Sequence, residues 1–105
     1  MKKNLFTKEE IILCTYLARF GRQKFKEDYI QKLESRSIAS IKMKVQNIAS
    51  MLDEEGFETS EEVSKLTGKP HGQKGRRTNW DIVKNFTDLN KQDFYSLCQK
   101  LIYIK

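Results

Sequence analysis

Ser35-Arg-Ser-Ile-Ala-Ser-Ile-Lys-Met-Lys-Val-Gln-Asn-Ile-Ala-Ser-Met-Leu52 is the stretch whose periodicity decides the fold class. Its apolar residues fall at Ile38, Ile41, Val45, Ile48 and Leu52, with Ala49 alongside. Gaps of three and four place them on one side of an α-helix. At about 100° per residue the opposite side carries Ala39, Ser40, Met43, Gln46, Asn47 and Ser50. That outer face is polar and uncharged, flanked by Lys42 and Lys44, with Arg36 and Ser37 at its N-terminal end. Short amide and hydroxyl side chains framed by cations suit a DNA major groove: amides reach base edges and lysines neutralise phosphates. An ordinary amphipathic helix with a solvated outer face has the same pattern, so the rest of the chain must weigh in.

The chain has 105 residues, enough for one domain with a modest core. Six Phe, four Tyr and one Trp argue against disorder. The net charge of +6 favours anionic partners: nucleic acid, a membrane surface or an acidic protein. The charge is zoned. Residues 1–52 hold eleven Lys/Arg against five Asp/Glu, and residues 68–79 hold four against none. Between them, residues 53–67 hold one against six. Two basic zones bracket an acidic one; they form a cationic surface if they face the same way, or pair with the acidic segment if they do not.

Upstream, Thr7-Lys-Glu-Glu10 is a capping box, with Phe6 and Ile11 spaced as a hydrophobic staple. The helix it opens runs to about Phe20, with Ile11, Ile12, Cys14, Tyr16, Leu17 and Phe20 mostly inward, and Gly21 ends it. A second helix is expected over about 26–34, with Tyr29, Ile30 and Leu33 on one side. Ser35 or Ser37 can cap the third. Residues 7–52 therefore read as a helix-turn-helix-like three-helix unit, whose last helix presents its N-terminal half to bases.

Downstream, Gly56 terminates the third helix and Thr59-Ser-Glu-Glu62 predicts a short helix containing Val63 and Leu66. Residues 67–79 form a loop with Lys69, Lys74, Arg76 and Arg77, read as a basic arm on the phosphate backbone or as a solvated linker. Thr78 or Asn79 caps a segment anchored by Trp80, Val83 (or Ile82) and Phe86. A last helix over about 90–103 turns Phe94, Leu97, Cys98, Leu101 and Ile102 inward. The expected fold is all-α: one small helical domain of about five helices, with residues 80–105 packing on the core.

Residues 33–49, on Arg36-Ser37, Ser40-Ile41, Met43-Lys44-Val45 and Asn47-Ile48-Ala49, resemble the N-terminal helix-turn-helix-type DNA-binding segment of HNH-type restriction endonucleases. Trp80–Phe86 is similar to the aromatic segment that follows in such proteins. The resemblance implies a DNA-facing role for Arg36, Ser40, Lys44 and Asn47. The chain departs from that family in lacking a nuclease half. An HNH centre needs at least two His, or His and Asn, around a metal, and His71 is the one histidine.

No metal-ligand spacing, cofactor motif or nucleophile–base arrangement is evident, and the carboxylate pairs sit at expected helix ends, where they complement the dipole. No Walker loop is present. Cys14 and Cys98 read as buried thiols of a reducing compartment. Met1–Lys8 breaks into charge too early for a signal peptide, and no apolar run approaches the roughly 20 residues of a membrane span. These readings point to a non-enzymatic cytoplasmic protein without cofactor or metal. The expected activity is binding of double-stranded DNA, as a regulator: Ser40, Met43, Gln46 and Asn47 at base edges, Arg36, Lys42, Lys44 and the 69–77 arm on phosphates. A homodimer would supply a second reading head. The alternative is a phage- or mobile-element-encoded inhibitor, of anti-restriction or anti-CRISPR type, that binds a host protein or nucleoprotein complex.

Overall fold

Nine consecutive buried residues, Glu10–Ala18, make the first helix the centre of the protein. A helix with no solvated stripe has neighbours on every side. The computed structural model describes residues 6–34, 36–63 and 79–104. They form five α-helices: α1 (Lys8–Phe20), α2 (Glu27–Glu34), α3 (Ile38–Glu54), α4 (Trp80–Val83) and α5 (Lys91–Ile104). A 3-10 turn, Lys84–Phe86, follows α4. The described residues contain no strand, so the architecture is all-α. α1 packs on α3, α5, α4 and α2; α2 also packs on α3 and α5. No helix among the described residues is long and apolar enough to cross a membrane.

The helix ends follow from local chemistry. Thr7 caps α1 reciprocally: its Oγ1 accepts from the Glu10 N–H at 3.2 Å, and the Glu10 carboxylate accepts from the Thr7 N–H at 2.8 Å. Ser37, rather than Ser35, caps α3 by accepting from the Ser40 N–H at 3.1 Å. At the other end of α3, the Gly56 N–H donates to the Asp53 carbonyl and the Phe57 N–H to the Leu52 carbonyl. This is a Schellman closure with Gly56 at φ +87°. Asn90 Oδ1 caps α5 by accepting from the Asp93 N–H at 2.8 Å.

The core is α1 and the inner face of α3 (Ile41, Val45, Ile48, Ala49, Leu52), closed by Ile30, Val83, Phe94 and Cys98. Tyr16 is the hub of an aromatic cluster, with ring centroids 5.2 Å from Phe20 and Phe25, 5.4 Å from Phe94 and 5.9 Å from Tyr95. Arg19 leaves the far end of α1 to donate to the Phe86 and Leu89 carbonyls at 2.8 and 2.7 Å, fixing the connection into α5.

Several expectations change. Residues 61–63 form a turn instead of the start of a helix. Ser60 Oγ accepts from the Glu62 N–H only two residues on, and the Ser60 N–H donates to the Ala18 carbonyl. Residues 60–62 are thereby clamped to the end of α1 as a turn; Leu66 lies outside the described residues. Asn79 precedes α4 in the left-handed region (φ +67°) and makes no side-chain cap bond. Tyr29 is exposed, and Ser50, expected on the outer face of α3, is buried.

Gly21 ends α1 at φ +90°, where a Cβ would lie 2.7 Å from Ser60 Oγ and Glu62 Oε1. Gly56 has a similar φ of +87° but open space around it. Gly56→Ala is therefore expected to lose about 1 kcal/mol from the left-handed backbone alone, and Gly21→Ala about 2–3 kcal/mol from the same strain plus the close approach, in urea denaturation. Equal losses would contradict the close approach at Gly21.

Burial raises the Tyr16 hydroxyl from 10.0 to about 12 and the Cys98 thiol from 9.0 to about 12. Burial, and then the Glu10 charge, raises the Cys14 thiol further. Each raised group favours its neutral form in the fold, so its contribution is complete below the unfolded value and is lost as pH rises toward the folded one. The urea midpoint should hold steady up to pH 9 and decline between pH 9 and 12. A flat profile across that window would contradict the burial of these groups.

Candidate nucleic-acid interface

The outer face of α3 is built from its N-cap upward. Ser37 Oγ donates to Ser40 Oγ at 2.9 Å while accepting the Ser40 N–H. The Ser40 hydroxyl proton is left to reach an external acceptor. Ser37, Ala39, Ser40, Lys42 and Met43 are exposed, Met43 to 62%. Gln46 and Asn47 are half-buried. Asn47 Oδ1 is shielded from solvent and has no hydrogen-bond partner. A bidentate amide contact to adenine needs both amide atoms at the surface, so Gln46 is the amide of this face suited to that geometry and Asn47 is not.

Arg36 and Lys44, expected on phosphates, are turned inward. Arg36 is only 7% exposed. Its Nε donates to Glu10 Oε2 at 2.9 Å and its Nη2 to Glu10 Oε1 at 2.8 Å, a bidentate ion pair with a fully buried carboxylate. The Phe6 ring covers the guanidinium at 4.0 Å. Lys44 is 9% exposed, and its ammonium lies 5.6 Å from the same ring centroid. The reason is positional. Residue 44 falls three after Ile41 and four before Ile48, on the apolar stripe itself, and its aliphatic stem is buried with it. Arg36 lies just before the N-cap, beside the end of α1, where the buried Glu10 needs a cation.

The exposed cations beside this face are Lys42 of α3 and Lys26 just before α2. Both line a cleft of about 550 Å³ between α2 and α3, together with Gln46 and Arg22. Arg22 is already committed. Its Nε and Nη2 meet the Glu27 carboxylate at 2.8 Å, and its Nη1 donates to the Glu62 carbonyl at 2.7 Å. The hydrogen bond to Glu27 raises the guanidinium's already high pKa. Asp28 and Glu62 also line the cleft, so its charge is mixed. Lys69, Lys74, Arg76 and Arg77 lie outside the described residues.

The structure thus brings together Ser37, Ser40, Lys42, Met43 and Gln46, and withdraws Arg36, Lys44 and the Asn47 carbonyl. Lys26, which sequence reasoning did not single out, joins them through the packing of α2 on α3; its signal was the run of three cations in Arg22-Gln-Lys-Phe-Lys26 between the first two helices. No group of three His, Cys, Asp or Glu side chains able to hold a metal occurs among the described residues. No protein-family model matches the chain, and no curated protein or solved structure shows significant similarity to it.

Proposed function

We propose that this chain is a non-catalytic binding protein that docks on double-stranded DNA through the exposed face of α3. The observation that carries this reading is the uncharged strip Ser37–Ser40–Met43–Gln46. It runs along a rigid 17-residue helix whose reverse side is core, with Lys42 and Lys26 beside it. In this arrangement Ser40 and Gln46 reach base-edge donors and acceptors, and Met43 offers an apolar contact to a thymine methyl. Lys42 and Lys26 take phosphates, and the basic residues 69–77 are assigned the same task. The resemblance of residues 33–49 to helix-turn-helix-type segments of HNH endonucleases points the same way. Arg36 and Lys44 set the position of α3 and do not touch the ligand.

A second reading is favoured by one observation. Met43 is the most exposed of the large hydrophobic residues described, and the withdrawal of Arg36 and Lys44 takes two cations off the face. Those features also suit a protein or nucleoprotein partner, as expected for an inhibitor of restriction or CRISPR type.

Fluorescence anisotropy with a random duplex of roughly three helical turns, at low and moderate salt, separates the two. DNA binding predicts micromolar or tighter affinity that falls steeply with salt. Lys42→Ala should weaken binding to every sequence and reduce the salt slope by about 1. Gln46→Ala should cost about 1–3 kcal/mol on a selected site and relax preference there. Absence of binding at low salt would retire the DNA reading in favour of a protein partner.

A further inference from the structure

On the side of the molecule formed by α1, α5 and the connector before α2, Tyr16, Lys24, Lys91, Gln92 and Tyr95 line a groove of about 360 Å³. Its volume falls within the range of small-molecule sites. Two of its five lining residues are aromatic: Tyr16 and Tyr95 have ring centroids 5.9 Å apart. Tyr16 is itself held by a near-parallel stack on Phe25 and an edge contact with Phe94. The Tyr16 wall of the groove is therefore fixed by the core, and Lys24 is the side chain that must move on binding.

Its charge is of one sign. Lys24 and Lys91 are exposed and no carboxylate is among the lining residues. The Lys24 ammonium lies 5.4 Å from the Tyr95 ring centroid, within cation–π range, so it is held at the groove. Lys91 and Gln92 are the first two residues of α5, whose positive dipole end adds to the same potential.

An independent observation marks this wall of the groove. Tyr16 is wholly buried, and its hydroxyl is one of two buried side-chain polar atoms among the described residues that have no hydrogen-bond partner. An unpaired buried hydroxyl costs stability that phenylalanine at this position would not. The hydroxyl stays neutral across the physiological range, so it is a donor awaiting an acceptor.

We infer that this groove binds a small planar aromatic anion of the carboxylate class, its ring against Tyr95 and its charge between Lys24 and Lys91. The acceptor that meets the Tyr16 hydroxyl is supplied by the ligand, reached when the Lys24 side chain swings off Tyr95. The site shares no residue with the outer face of α3 and does not depend on the DNA reading.

The test uses 2-naphthoate as the probe and 2-naphthalenemethanol as its neutral counterpart, followed by heteronuclear NMR on the full chain. Naphthoate is expected to shift the amides of residues 24, 91, 92 and 95 saturably, with Kd on the order of 0.1–1 mM. The alcohol should bind about tenfold more weakly. Lys24→Gln with Lys91→Gln should bring naphthoate down to the level of the alcohol. Tyr16→Phe should weaken both probes about three- to tenfold while leaving the urea midpoint unchanged or higher. No saturable shift, shifts scattered over the surface, or equal affinity for naphthoate in the double lysine variant would overturn the site. Unchanged affinity in Tyr16→Phe would overturn the role of the hydroxyl.

Discussion

A carboxylate taken wholly out of water must be matched group for group, and in this protein the demand falls on Glu10. Its two oxygens accept the Thr7 N–H and both ends of the Arg36 fork, all between 2.8 and 2.9 Å. Phe6 caps the guanidinium, and Lys44 stands at the same ring. One residue thus closes the N-terminus of α1 and, through Arg36, fixes the N-terminus of α3 against it. A buried ion pair gives little net stability over an apolar replacement, because desolvation offsets the attraction. Its effect is positional. The fork and the carboxylate meet bidentately in one geometry, which ties the start of α3 to the start of α1.

The other ends of the helices are tied by the same kind of device. Arg19 reaches from the end of α1 to two carbonyls before α5. Arg22 holds Glu27 at the start of α2 and the Glu62 carbonyl beyond α3. Three arginines therefore spend their donors inside the molecule; two of them meet a carboxylate, so the pairing takes cations off the surface without changing the net charge. The lysines carry more of the external charge: Lys24, Lys26, Lys42 and Lys91 are all exposed. This division follows from side-chain chemistry, since a planar fork satisfies several acceptors at once and a strongly hydrated ammonium does not.

Much of this fold was legible in the sequence, for local reasons. The Thr7–Glu10 box, the cap at Ser37 and the glycines at 21 and 56 are signals contained within a few residues, and the helices begin and end by them. The apolar stripe of α3 is likewise read from spacing alone. What was hidden depends on contacts between distant residues. Arg36 and Glu10 are 26 positions apart, and nothing local distinguishes an arginine that faces phosphate from one that faces a buried carboxylate. For Lys44 the spacing did hold the answer, but its charge argued the other way. The box at Thr59–Glu62 was a sound local signal overridden by tertiary bonds to Ala18 and Arg22. Met43 was placed correctly because it lies opposite the stripe; Gln46 and Asn47 are half-buried, and the Asn47 carbonyl sits where burial begins.

The role of the Glu10–Arg36 pair is measured most directly by a double-mutant cycle of Glu10→Gln, Arg36→Met and the two together, in urea denaturation at neutral pH. Glutamine keeps the acceptor that closes the cap, so the cycle isolates the charge pairing. Arg36→Met alone leaves a buried unpaired carboxylate and should cost about 3–5 kcal/mol. The double variant should recover a large part of that, with a coupling above roughly 2 kcal/mol. Additive losses, or an Arg36→Met variant within about 0.5 kcal/mol of the parent, would show that the pair does not hold α1 and α3 together.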